Sequence, residues 1–285
     1  TLIELCKEGM RKRGLENKKE YIYRLKYELE VIKEKDFSKY FLTMKRIIDE
    51  GSKYFLFGPA RGSAAGSLLA YVLGITQVDP IKYNLLFARF INKDRKSFPD
   101  IDSDVSDRDA LLNVLRKEFG EQNVLPITNF NTFKLKSLIK DLSRFYGIPY
   151  EEVNEVLKTT DRETRESIVV KGTDQSGFQL TFENALENSK AFRDFTEKYP
   201  QLCERLDVLL KQNRNLSRHA GGVVVAENLE TSLPLITVKG EIQSPFAEGQ
   251  TVQNLGPLGF IKFDLLGLDT LRLFVFYFFL LKPNF

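Results

Sequence analysis

Two short segments hold the residues best suited to chemistry. Phe98-Pro99-Asp100-Ile101-Asp102-Ser103 carries two carboxylates two positions apart, and far downstream Phe260-Ile261-Lys262-Phe263-Asp264-Leu265 carries a third beside an ammonium. In a β-strand alternate side chains share a face, so Asp100 and Asp102 would project together. The same rule sets Ile261, Phe263 and Leu265 on one face and Lys262 and Asp264 on the other. Adjacent strands would then gather three acids and one base. Such crowding is costly unless cations neutralise it, as two Mg²⁺ ions do in enzymes that transfer phosphoryl or nucleotidyl groups. The plainer alternative is that an Asp after Pro is a common turn residue. Asp79, beside Pro80, reads that way. Asp104 extends the alternation as an outer partner of a metal site or as the strand's exit, and Asp107 caps a following helix.

A second element, Gly58-Pro-Ala-Arg-Gly-Ser-Ala-Ala-Gly-Ser67, is rich in small residues. Glycines let a backbone approach a ligand, and free N–H groups at a helix start bind phosphate oxygens. Arg61 and Ser63 would add a bidentate cation and a hydroxyl. The Gly-Lys-Ser/Thr ending of a P-loop is missing, which disfavours ordinary ATPase chemistry. Glycines at 58, 62 and 66 also suit close helix packing, and both readings stand. A third element is a stripe. Leu135, Leu138, Ile139, Leu142 and Phe145 predict one buried helical face, and Lys136, Lys140 and Arg144 stand four apart on an exposed one. That geometry could follow a nucleic-acid backbone or be a solvated surface. His219, the sole histidine, precedes Gly221 and Gly222 at an apolar strand. General base, phosphate contact and strand-start packing stay open, with packing or positioning ahead of acid/base work.

Elements that must position these groups can be read from periodicity. Helices are expected over 18–35, after Asp36 to Gly51, and over 107–119. Strands are expected at 98–104, 123–129, 221–226 and 259–265. Residues 133–210 read as helical and polar, with a loop from Thr159 to Gly177. The simplest architecture is an α/β domain divided by an inserted helical subdomain. The 285 residues suffice for one large or two ordinary domains, each with a core. With 42 basic and 39 acidic residues the net charge is only +3, so any nucleic-acid site must rest on local clustering. Cys6 and Cys203 have no partner at metal-ligand spacing, which suits a reducing cytoplasm. No secretory leader is evident, and the apolar run Leu273 to Leu281 is too short to cross a bilayer. The chain starts in helix-like sequence without an initiator Met. The aromatic run from Phe274 to Leu281 needs a cover, either a small core or a neighbouring domain.

Taken in order, these blocks resemble the polymerase core of the α subunit of bacterial replicative DNA polymerase III, the C-family of DNA polymerases. The carrying residues are those at 58–67, Leu86-Phe87-Ala88-Arg89-Phe90, Pro99-Asp100-Ile101-Asp102, Ile127-Thr128 with Phe130 and Thr132, Lys136 with Ile139, Asp141 and Arg144, Gly147-Ile148-Pro149-Tyr150, His219 to Val224, and Lys262-Phe263-Asp264 with Leu266-Gly267-Leu268. The resemblance runs over roughly residues 4–272. It implies an α+β fold with a palm related to the polymerase β nucleotidyltransferases, split by a helical thumb. The palm would be 1–131 and 210–285, leading towards absent fingers, and the thumb 132–209. By position, Asp100, Asp102 and Asp264 would hold two Mg²⁺ ions, for which Mn²⁺ could substitute. Gly62, Ser63, Arg89 and Lys262 would meet the incoming deoxynucleoside triphosphate, with Arg61 beside them. Lys136, Lys140, Arg144 and His219 would meet primer-template DNA. The chain departs from the family at Ala60, where Gly is usual, at Asn131-Thr132-Phe133, where Gly-Thr-Met is usual, and after Arg272. The family's phosphoesterase-like domain, fingers and clamp-binding tail have no counterpart. The expected function is templated nucleotide addition by a palm–thumb piece working with a fingers-bearing or other replisome protein, and not with a membrane. The alternatives are a non-catalytic DNA-binding module and an untemplated metal-dependent nucleotidyltransferase.

Overall fold

The computed structural model describes residues 1–92, 99–170 and 178–281. The chain divides into two compact units, residues 1–129 with 217–285, and residues 130–216. In the first unit, helices α1 (Leu2–Lys12), α2 (Lys19–Glu34), α3 (Ser38–Gly51) and the short α4 (Leu68–Val72) precede strand β1 (Asp102–Val105) and helix α5 (Arg108–Phe119). Strand β2 (Val124–Thr132) leads to the helices of the second unit, α6 (Leu135–Phe145), α7 (Tyr150–Val170), α8 (Phe182–Asn188), α9 (Lys190–Lys198) and α10 (Pro200–Leu209). Strand β3 (Asn213–Val225) returns, followed by α11 (Leu229–Ser232), β4 (Ile236–Val238), β5 (Glu241–Ala247), β6 (Lys262–Gly267) and α12 (Asp269–Leu281). The result is an α+β chain around a six-stranded mixed sheet in the order β1-β6-β3-β2-β5-β4. No helix among the described residues is long and apolar enough to cross a membrane.

Strand alternation decides where the sheet buries its residues. Val223, Val225, Phe263 and Leu265 join Leu111, Leu115 and the α3 residues Tyr40, Phe41, Met44 and Ile47 in the large core. Val224, between two of them, points the other way, into a smaller cluster with Leu125, Ile127, Leu229 and Leu233. The sheet is therefore covered on both faces, as its Val-rich strands require. The second unit has its own core of Leu138, Ile139, Val153, Phe192, Phe195 and Leu206.

Three sequence expectations need correction. The strand expected at 98–104 begins only at Asp102, and Phe98 lies outside the described residues. Pro99 has no N–H, and the Ile101 N–H donates to the Tyr40 hydroxyl at 2.9 Å instead of joining a ladder. The loop expected from Thr159 is helical to Val170, and 171–177 lie outside the described residues. Its charges pair along and across helices, Asp161 meeting Arg165 at 2.9 Å and Lys136 at 2.7 Å. Phe145, expected in the buried face of α6, is 79% exposed. The helix ends there in a Schellman turn, with the Ile148 N–H donating to the Ser143 carbonyl and Gly147 at φ +70°, so Ile148 takes the inner place.

Glu28, a charged residue on the buried side of α2, is fully buried. Its carboxylate accepts from Arg24 Nε at 2.7 Å and from Ser67 Oγ, Leu68 N and Leu69 N at 2.9 Å each. Burial pushes its carboxyl up, and these donors pull it back. Arg24 also donates to the carbonyls of Gly66 and Leu85, at 2.8 and 3.1 Å. One ion pair thus ties the glycine/serine segment to the segment that carries Arg89. Glu28→Ala would leave the buried Ser67 hydroxyl and the buried Leu68 and Leu69 amides without their acceptor and Arg24 without its carboxylate, with an expected loss of about 3–5 kcal/mol in urea unfolding. A loss under about 1 kcal/mol would mean the network does not hold the segment.

Candidate metal and phosphate site

The two acidic segments become neighbours because β1 and β6 pair in parallel, with Asp102 directly opposite Asp264. Asp100 lies just ahead of β1. One carboxylate oxygen from each of Asp100, Asp102 and Asp264 lies within 4.8 Å of the others, with Asp100 exposed, Asp102 half-buried and Asp264 buried. On the other side of β6, antiparallel β3 sets Gly222 against Asp264. A Cβ on the adjacent Gly221 would come to 2.7 Å from Leu266 Cδ2 and 3.4 Å from Asp264 Oδ1, so this strand crosses the acid at glycine distance.

The charge balance is uneven. Lys262 Nζ sits 2.7 Å from Asp264 Oδ2 and 3.1 Å from Glu248 Oε2. Burial lowers the Lys262 ammonium, but those carboxylates outweigh it and carry it above its ordinary range. Partial burial and the neighbouring Asp264 raise the Asp100 carboxyl. Burial and Asp100 raise Asp102, against Arg61 and Lys262, which lower it. Among the described residues, Asp264 Oδ1 is buried with no hydrogen-bond partner. An orphaned, buried oxygen beside two further carboxylates is what a divalent cation would satisfy, and an all-oxygen donor set suits Mg²⁺ or Mn²⁺. The residues present fit such an ion.

The glycine/serine segment adjoins this cluster. Gly58 N–H donates to the Asp104 carbonyl, and Arg61 pairs with the Asp104 carboxylate at 2.9 Å. Gly62 has φ +62°, and a Cβ there would lie 3.2 Å from Asp102 Oδ2. Gly66 passes the Leu86 carbonyl, which an added Cβ would meet at 2.8 Å. Three glycines thus serve three different close approaches, and helix packing at every fourth residue is not what they do. The segment forms a 3-10 turn, Gly62–Gly66, ahead of α4. Amides at the start of α4 are not free for phosphate, because Glu28 and Ser67 occupy them. The first amides of the 3-10 turn, at Gly62 and Ser63, have no partner within that turn. Arg89 closes a second 3-10 turn, Phe87–Arg89, and is exposed, as is Ser63.

His219 accepts at Nδ1 from the amides of Gly222, at 2.7 Å, and Gly221, at 3.3 Å. Burial lowers its pKa, as do Lys262 and Arg108, against Glu248. Within β3, the ring is thereby held against the two glycines that cross Asp264. In the second unit, Lys136 is engaged by Asp161, and Lys140 lies 5.6 Å over the Tyr150 ring. Arg144 is exposed. Sequence reading missed Tyr40, Glu248 and Arg108. Buried Arg108 donates from Nε to the Leu265 carbonyl at 2.9 Å and reaches the Gly221 carbonyl at 3.4 Å, bracing β6 and β3 around Asp264. Burial pushes its pKa down to about 10. Its place after the cap residue Asp107 gave no sign of this.

Residues 1–267 match the family described as "Bacterial DNA polymerase III alpha NTPase domain". The chain is 35% identical over 279 residues to DNA polymerase III subunit alpha of Ureaplasma parvum, covering 95% of this chain and 27% of that protein. It is 36% identical over 293 residues to the subunit of Aquifex aeolicus, covering 95% and 25%. Against that of Bacillus subtilis it is 35% identical over 278 residues, covering 95% and 24%. The chain spans about a quarter of the length of the curated relatives it matches.

A pH test follows from the raised carboxyls. Folded Asp100 and Asp102 titrate above their unfolded values, so the metal-free fold binds more protons than the unfolded chain across that window. Stability therefore falls as pH climbs through it and stays lowered above. Under chelator at pH 7.5, Asp100→Asn should melt higher than the native chain, with the gap closing near pH 4. An equal or lower melting temperature at pH 7.5 would contradict the like-charge cluster.

Proposed function

The chain belongs to the bacterial DNA polymerase III alpha family, and from that membership and the carboxylate cluster we propose that it forms the palm and thumb of a DNA-templated DNA polymerase. The carrying observation is that two segments remote in sequence converge on three carboxylates, one with an orphaned buried oxygen. In this reading the first unit is the palm, the second is the thumb, and the substrates are primer-template DNA and deoxynucleoside triphosphates.

Asp100, Asp102 and Asp264 would hold two Mg²⁺ ions, with Mn²⁺ as a substitute. When bound, such ions lower the pKa of an attacking hydroxyl and neutralise charge on a leaving phosphate. The primer 3′-hydroxyl would release its proton to solvent, its oxygen would bond to the α-phosphorus as the bond to the bridging oxygen breaks, and pyrophosphate would depart. The Gly62 and Ser63 amides and Arg89 would receive the triphosphate, as preorganised donors do in phosphoryl transfer. Lys262, already fixed by Asp264 and Glu248, would add a positive charge with little reorganisation. Arg61, paired with Asp104, would screen the acidic cluster from one side. His219 would contribute position more than charge to DNA contact. Lys140 and Arg144 would supply the thumb's phosphate contacts, with Lys136 held back by Asp161.

One observation favours a second reading: the chain matches only about a quarter of its relatives' length, so nucleotide addition could require a fingers-bearing polypeptide. Primer extension with Mg²⁺ or Mn²⁺ separates the cases. Templated incorporation by the chain, lost by at least about 100-fold in Asp102→Asn, is the expected result. Retained incorporation in that variant would refute the ligand role. Activity only with a fingers-bearing fragment added would support the module reading, and incorporation that ignores the template would mark an untemplated transferase. Replacing Lys136, Lys140 and Arg144 with Ala should flatten the salt dependence of DNA binding by about 2 in log–log slope. An unchanged slope would return the stripe to ordinary surface.

A further inference from the structure

Tyr40 links the two acidic segments from outside the sheet. It lies in α3 and is 1% exposed. Its hydroxyl accepts the N–H of Ile101, the residue between Asp100 and Asp102, at 2.9 Å. Its ring stacks on Phe263, the residue between Lys262 and Asp264, with centroids 5.1 Å apart and planes 13° apart. One side chain therefore grips both ligand-bearing segments at their centres.

The hydroxyl matters because the sheet does not hold Asp100. Register partners of β1 begin at Asp102, opposite Asp264. Upstream, Pro99 has no N–H to offer, and Ile101 is fully buried, so water cannot replace a lost partner for its amide. The Tyr40 oxygen is the acceptor that this amide has instead. The stack has the complementary effect. Phe263 sits opposite Val223 in β3, and the ring above it fixes the strand that aims Lys262 and Asp264 at the opposite face.

We infer that Tyr40 is the positioning residue of the carboxylate cluster, setting the distance of Asp100 from the Asp102–Asp264 pair and thereby the affinity for divalent metal; this rests on the metal-binding reading above. Tyr40 touches neither the metal nor the nucleotide. Partners of this outer kind typically change metal affinity by 10–100-fold.

The test is Mn²⁺ binding to the full chain, followed by the electron paramagnetic resonance of free Mn²⁺, without DNA or nucleotide. It is run at a temperature where circular dichroism shows each variant folded. Tyr40→Phe keeps the ring stack and removes the acceptor, and should weaken Mn²⁺ binding by about 10-fold. Tyr40→Leu removes both and should weaken it further. A residue that only stabilised the core would lower the melting temperature of Tyr40→Phe but leave the dissociation constant of its folded form native. Asp100→Asn is the control. If it loses Mn²⁺ while Tyr40→Phe binds like the native chain, the positioning role is overturned and the metal site stands. If Asp100→Asn also binds like the native chain, the metal-site reading falls and takes this inference with it.

Discussion

Everything in the site follows from the register that sets Asp102 beside Asp264 on parallel neighbouring strands. Parallel pairing needs a long crossover, and here the whole stretch from α5 to β5 lies between the two strands in sequence. Once made, the pairing forces like charges together, with Asp264 buried and Asp102 half-buried. Such crowding costs stability unless something offsets it, and in the reading proposed above the offsetting partner is a divalent cation. The surrounding groups soften the cost without abolishing it. Lys262 takes one oxygen of Asp264, Arg61 takes Asp104, and the other Asp264 oxygen is left bare.

The rest of the first unit serves to keep that arrangement rigid. Arg108 spans carbonyls of β6 and β3 from below, and Tyr40 reaches both acidic segments from α3. Glu28 and Arg24 fasten the glycine/serine segment to the chain around Arg89. Tyr40, Glu28 and Arg108 are buried with polar partners, and Arg24 is half-buried beside Glu28, which is how a site holds its geometry to about half an ångström. The glycine/serine segment itself is shaped by approach. Gly62 at φ +62° lies against Asp102 where a Cβ would crowd the carboxylate.

Much of this was legible in the sequence, because the signals are local. The alternation in Lys262-Phe263-Asp264-Leu265 is a strand with one buried face, and Asp107 before an apolar-periodic run is a helix cap. What stayed hidden depends on tertiary partners. Glu28 reads as one more polar position on α2 until its four donors are seen, and Tyr40 as one more apolar position on α3. The charge-rich stretch after Thr159 resembled a loop because its charges pair along α7, Asp161 with Arg165, and across to α6, Asp161 with Lys136. Free amides at the start of α4 were a fair expectation from spacing, but an internal carboxylate reached them first.

The most direct test of the central claim is anomalous scattering from crystals of the chain soaked in Mn²⁺. The account predicts Mn²⁺ peaks within coordination distance of carboxylate oxygens from Asp100, Asp102 and Asp264, with Asp264 Oδ1 among the ligands. Mn²⁺ bound only at other surface carboxylates, with this cluster bare at saturating metal, would contradict it.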